Sequence, residues 1–332
     1  MVKASYESGK PAIGVGGGNA PVSYKVILLS SLRSCAFSSM FIKVLVDEMA
    51  DLDMACGSIV MGKTFDNGMI CAAEQSVVVV EEVYNDFKKL LQDRGVHFLE
   101  GAEREAIANL IQKDGRVNAD IVGKSAKEIA DILGLTVPDG TIVLGTEEKN
   151  HDIGEKFPLS KEKLSPILAM FKCDNFEAGV DICASLTKTG GLGHTAGLYT
   201  NIEKQKSLER ENFFVQKVPT GRLLVNSPTS LTAIGTSFNF HIDPSFTLGV
   251  GTIAGSSVSE NLGPMHLINI AIVAERQEHI EWFNLPHRLF FNRGCLEEGL
   301  QECGKAYASG EHDERVMIIS GRTNVRLGKK SS

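Results

Sequence analysis

Thr64-Phe-Asp-Asn-Gly-Met-Ile-Cys71-Ala-Ala-Glu74-Gln-Ser76-Val-Val-Val-Val80 joins a turn to a strand. Asp66, Asn67 and Gly68 are turn formers. Ser76 to Val80 is a continuous β-branched run of the kind that a parallel sheet buries on both faces. Cys71 falls between the two, just past a loop and outside any periodic apolar face. Most lone cysteines are small buried hydrophobes, but one on a glycine-containing turn ahead of a strand is presented to a cleft.

Outward from this stretch the pattern alternates. Ala12 to Val15 reads as a short strand ending in Gly16-Gly17-Gly18-Asn19. Leu52, Cys56, Ile59 and Val60 share one face of a helix over 49–63, and Val83, Phe87, Leu90 and Leu91 one face of a helix over 81–93. Further helices are expected over 103–112, 125–133 and 176–187, and strands over 119–122, 142–145, 167–171, 195–199 and 222–225. Strands alternating with helices imply an α/β fold with a mostly parallel sheet. No internal repeat or low-complexity tract interrupts it.

Composition narrows the function classes. A chain of 332 residues that is 43% hydrophobic buries a large core. The formal charge of -7 is spread without long runs, which argues against nucleic acid as a partner, because phosphate binding needs clustered Lys and Arg. The longest apolar stretch, Val26 to Val46, is broken by Arg33 and Lys43 and does not read as a membrane span. Seven cysteines (35, 56, 71, 173, 183, 295 and 303) make an odd set with no CxxC pair and no zinc spacing. Reduced thiols and an intracellular location, cytoplasmic or organellar, are expected. The histidines other than His194 show no HxxxH or HExxH pairing, so no metal site is expected.

The run around Cys71 resembles the catalytic-cysteine segment of the CoA-acylating aldehyde dehydrogenases, most closely the aldehyde dehydrogenase half of the bifunctional aldehyde/alcohol dehydrogenases. Gly9-Lys-Pro-Ala-Ile-Gly-Val15, Glu162-Lys-Leu-Ser-Pro166, Gly190-Gly-Leu-Gly-His194-Thr195 and Ser259-Glu-Asn-Leu-Gly-Pro264-Met-His-Leu-Ile-Asn269 carry the same likeness. The resemblance implies an aldehyde dehydrogenase-like fold, with a truncated Rossmann-type nucleotide-binding sheet and an α/β catalytic domain. It implies the reversible reaction of acetaldehyde, CoA and NAD+ to acetyl-CoA and NADH through a cysteine thioester.

In that reading Cys71 is the nucleophile and His194 the proton-transfer group, its ordinary pKa of about 6.5 suiting it to the task. Glu162 accepts hydrogen bonds from the nicotinamide ribose, and Gly16 and Gly17 lie at a strand end near the nicotinamide. Val15 stands where hydrolytic members carry a water-activating glutamate, which favours thiolysis by CoA. Gly191 to Gly197 mimics a dinucleotide glycine motif but follows a helix and precedes a strand, the reverse of the phosphate-binding context. Small aldehyde and CoA are the expected partners, in a homo-oligomer.

Two departures from the family set the expected domains. Residues 23–45 have no family counterpart and read as a foreign insert. The chain also begins where the family is already inside its nucleotide-binding domain. The expected division is 1–48 as a remnant of the NAD-binding domain, 49–265 as the catalytic domain, 266–310 as a C-terminal connector, and 311–332 as the start of an iron-dependent alcohol dehydrogenase domain. The rival reading is an incompetent fragment that only packs or co-assembles with related subunits.

Overall fold

The Val77–Val80 run lies near the middle of a parallel sheet, as its composition demands. The computed structural model describes residues 6–9, 12–13, 42–113, 116–190, 192–235, 241–245 and 247–275. The chain divides into two units, Met1–Ile268 and Asn269–Ser332, and every element named here belongs to the first. In order these are β1 (Ile42–Val46), α1 (Leu52–Thr64), β2 (Glu74–Val80), α2 (Glu81–Asp93), β3 (Val96–Phe98) and α3 (Gly101–Ile111). The short hairpin β4 (Gln112–Lys113) and β5 (Arg116–Val117) follows, then α4 (Ala126–Leu133), β6 (Val143–Glu148) and β7 (Ile167–Cys173). The last are α5 (Phe176–Gly190), β8 (Gly193–Tyr199), α6 (Lys204–Lys217), β9 (Thr220–Val225) and α7 (Thr229–Ala233).

Seven strands form one sheet in the order β3-β6-β7-β2-β1-β8-β9, with every pairing parallel. Alternate residues serve opposite faces. Ile42, Val44, Val46, Val77 and Val79 pack with Cys56, Ile59, Phe87 and Leu91 of α1 and α2. Leu45, Val78 and Val80 pack with Phe176, Val180 and Cys183 of α5 and Phe214 of α6. Helices on both faces explain why these strands read as unbroken apolar runs.

Helix starts follow local chemistry. Asp51 caps α1, its carboxylate accepting from Met54 N at 3.0 Å. Ser125 and Glu128 close a capping box on α4. Among the described residues no helix is long and apolar enough to cross a membrane.

Three expectations change. Residues 119–122 form turns rather than a strand: Asn118 takes the Leu110 carbonyl and the Asp120 amide, curling the chain instead of extending it. Helix α6 and strand β3 emerge where no periodicity pointed to them, because α6 buries only Ser207 and Phe214 and β3 is an edge strand of three residues. The third concerns the insert expected over 23–45, whose last four residues are the first four of β1. They are buried and hydrogen-bonded between β2 and β8, so Ile42 to Leu45 is integral to the sheet. The boundary drawn at residue 48 therefore separates a central strand from its own sheet. Residues 14–41 and 276–332 lie outside the described residues, and with them Val15, Gly16, Gly17 and the two C-terminal segments apart from residues 266–275.

Candidate active site

Four strands deliver the site at their amino-terminal ends. Cys71 precedes β2, Glu162 precedes β7, His194 is the second residue of β8 and Arg222 the third of β9. Open α/β sheets ordinarily use the carboxyl ends of their strands. At that opposite edge, a cavity of about 410 Å³ lined by Arg104, Glu148, Lys156 and Phe157 does not include Cys71.

The turn ahead of Cys71 is built by three left-handed residues in a row, Asp66 (φ 50°), Asn67 (φ 50°) and Gly68 (φ 69°). Asp and Asn tolerate this region better than other side chains, and glycine accepts it freely. Gly68 is also fixed by space, since a Cβ there would meet the Ser165 carbonyl oxygen at 2.6 Å. Asn67 Nδ2 donates to the Gly123 carbonyl at 2.9 Å. The turn is thus pressed onto the segment that carries Glu162.

Cys71 Sγ lies 3.2 Å from His194 Nε2, across 123 residues of sequence. On its other ring nitrogen, Nδ1, His194 lies 3.0 Å from Thr195 Oγ1. Cys71 is partly buried in a small apolar cluster with Ile70, Ala72, Leu224, Ile234 and Leu248. Burial pushes its thiol up from the ordinary value, and the Glu162 carboxylate adds to this; the backbone N–H of Cys71, Arg222 and the backbone N–H of Ala72 pull the other way. Burial pushes His194 down to about 3, helped by the positive charges of Arg222 and Lys43. At neutral pH the resting pair is therefore a neutral thiol facing a neutral imidazole, not a preformed thiolate–imidazolium pair.

A second layer fixes the start of β2. Thr229 Oγ1 donates to the Ala72 carbonyl at 2.8 Å, and the Thr229 amide donates to Glu74 Oε1 at 2.7 Å. Gln75 Oε1 accepts from the Lys163 amide at 3.1 Å, while Lys163 Nζ donates to the Gln75 carbonyl at 2.9 Å. Ala72, Glu74 and Gln75, directly after Cys71, are thereby tied to the Glu162 loop and to α7.

Glu162 is half-buried, and its charge reaches Cys71, Lys63 and Lys163. A carboxylate offers two acceptor oxygens to a pair of vicinal hydroxyls, so this position could hold a nucleotide ribose near Cys71. Cys71, His194 and Glu162, all singled out in the sequence, come together. Gly16 and Gly17 lie outside the described residues. Arg222, Thr195, Glu74 and Thr229 were missed. The one signal available for Arg222 was a charge inside the otherwise uncharged strand Thr-Gly-Arg-Leu-Leu-Val.

Residues 43–239 match the aldehyde dehydrogenase family. The bifunctional aldehyde-alcohol dehydrogenase of Escherichia coli is 44% identical over 322 residues, covering 97% of this chain and 33% of that protein. The chain thus spans about a third of the length of such curated relatives. Among solved structures, an acetylating aldehyde dehydrogenase from Geobacillus thermoglucosidasius superposes with a TM-score of 0.69 at 32% identity, over 84% of this chain and 55% of the other. A probable aldehyde dehydrogenase from Listeria monocytogenes gives 0.70 at 36% identity, over 85% and 56%.

Proposed function

Because the chain belongs to the aldehyde dehydrogenase family, we propose that it is the catalytic part of a CoA-acylating aldehyde dehydrogenase that interconverts acetaldehyde and acetyl-CoA with NAD. The observation that carries this reading is the 3.2 Å approach of Cys71 Sγ to His194 Nε2. The aldehyde and the acyl transfer rest on the acetylating description of the Geobacillus relative. NAD as the nucleotide rests on the family resemblance of the Glu162 segment.

Cys71 attacks the carbonyl carbon as its proton passes from sulfur to His194 Nε2, so that charge separates only while the carbon–sulfur bond forms. Glu162 would hold a nicotinamide nucleotide at its ribose hydroxyls, and that group would supply the hydride acceptor. The oxidised acyl group stays on Cys71 as a thioester. His194 releases the proton from Cys71 to solvent and then takes the proton of the CoA thiol, which attacks the thioester carbon; Cys71 leaves as thiolate and recovers that proton from His194.

The low basicity of His194 supports thiolysis over hydrolysis. A thiol near pKa 8.5 yields its proton to a weak base far more readily than water near 15.7. The valine at position 15 points the same way.

The test uses acetyl-CoA, whose reaction with Cys71 needs no nucleotide. Incubation should place an acetyl group on Cys71, read by peptide mass spectrometry. Cys71→Ser should abolish it, because a hydroxyl is a far weaker nucleophile than a thiolate. His194→Ala should slow it by roughly 100 to 10,000-fold. Full labelling of Cys71→Ser at another residue, or release of free acetate at the same rate without CoA, would overturn the proposal.

A further inference from the structure

Arg222 ends at two structures at once. Its Nη1 donates to Thr195 Oγ1 at 3.3 Å, and that hydroxyl stands 3.0 Å from His194 Nδ1. Through Nη2 it donates to the Gly249 carbonyl at 2.9 Å and the Ser259 carbonyl at 2.8 Å, and reaches Asn261 Oδ1 at 3.4 Å. Those acceptors belong to the two arms of the irregular hairpin 247–262, held together by Gly249 N to Glu260 O at 3.0 Å and Gly251 N to Val258 O at 2.9 Å. The hairpin presses on Gly193, where a Cβ would meet the Val250 carbonyl oxygen at 2.0 Å. Only a rigid fork of donors serves the hydroxyl behind the imidazole and both arms together.

We propose that Arg222 is the positioning residue of the Cys71–His194 pair, orienting the imidazole through Thr195 while seating the hairpin 247–262 against the same pair. The inference rests on reading Cys71 and His194 as the reacting groups. Its charge acts alongside its bonds. Arg222 favours the Cys71 thiolate, against Glu162 from the loop before β7. It also disfavours the His194 imidazolium, together with Lys43 from β1. An arginine in this place therefore does the reverse of a triad aspartate: it keeps the imidazole unprotonated and supports negative charge on sulfur.

The experiment is the pH profile of Cys71 alkylation by iodoacetamide in the whole chain, read by peptide mass spectrometry. It needs neither aldehyde, CoA nor nucleotide, so its failure and a failure of acetyl transfer from acetyl-CoA are told apart. Arg222→Gln loses the charge together with the reach of the fork, whereas Arg222→Lys loses the fork and keeps the charge. Arg222→Gln should move the midpoint upward and slow alkylation at pH 8 at least about threefold, the effect of half a pKa. Arg222→Lys should hold the midpoint near that of the unmodified chain. Thr195→Val keeps the charge and the hairpin bonds but cuts the path to His194, and should slow alkylation several-fold at every pH with Tm unchanged. An Arg222→Gln profile that superposes on the original overturns the proposal. So does a fall in Tm for both Arg222 variants with the midpoint in place, which would make the side chain a brace for the hairpin only. Should Arg222→Gln unfold, Thr195→Val decides, and an unchanged profile there overturns the proposal equally.

Discussion

Lys43 is 2% exposed on the sheet face that packs against α5, where its β1 neighbour Leu45 meets an apolar layer. Burial brings its ammonium down to about 7 from 10.5, with Cys183 acting weakly in the opposite sense. Between these values the unfolded chain holds a proton that the folded chain lacks. Stability accordingly rises with pH from about 7 to about 10.5, and the penalty is fully present below 7. Lys43→Met should flatten this slope relative to the original chain, with a gain of roughly 1–3 kcal/mol at pH 7 in urea unfolding. An unchanged slope would mean that the ammonium is solvated in the folded protein. Gly193 gives the second residue-scale expectation. Its φ of +95° and its contact with Val250 exclude a side chain, so Gly193→Ala should displace His194 or the hairpin and lower the acetylation rate of Cys71 more than tenfold. Retention of full acetylation by a folded variant would contradict this.

At the scale of elements, the junction of α1 with β2 carries Cys71, and at Gly62 the helix comes against the Glu74 side chain of the strand. A Cβ on Gly62 would stand 2.3 Å and 2.4 Å from the two carboxylate oxygens of Glu74. That carboxylate has no room to retreat, being fully buried and tied to the Thr229 amide. Burial raises its pKa to about 7, against the hydrogen bonds from Thr229 and the charge of Lys63. Gly62→Ala should therefore cost roughly 1–3 kcal/mol of overpacking and slow Cys71 acetylation, since Thr229 also holds the Ala72 carbonyl. Thermal unfolding and acetylation measured on one preparation check both. Ser125→Ala is a contrasting case, a surface cap far from the site in sequence. Loss of the capping box should cost about 1 kcal/mol and leave acetylation unchanged.

At the scale of the molecule, the position of β1 in the centre of the sheet decides what the unusual N-terminal segment can lose. We propose that residues 23–41 are dispensable and that Ile42–Val46 is not. Removing 23–41 leaves all five residues that pair with β2 and β8. Removing 23–45 leaves only Val46 of the strand and would draw Ala20, Pro21 and Val22 into it, with a proline that has no N–H for the ladder. The shorter deletion should unfold at a higher temperature than the longer one. The reverse order would show that residues before Val22 replace β1 without loss.

The sequence by itself determined the α/β class, the boundaries of α2 and the start of α4 to within a residue, and the turn that presents Cys71. These depend on neighbours a few positions away: apolar period, turn chemistry and capping side chains act locally. It also pointed to Cys71, His194 and Glu162, each through a short segment resembling a family. What only the tertiary structure decided is the relation among them. That Cys71 faces His194 across 123 residues follows from the order in which seven parallel strands pair, which no local pattern encodes. The membership of Ile42–Leu45 in the central strand was hidden for the same reason, because a strand is defined by its partners β2 and β8. Arg222 and Thr195 acquire a role only where the amino ends of β8 and β9 lie side by side, and a buried imidazole held unprotonated depends on charges brought near it by folding.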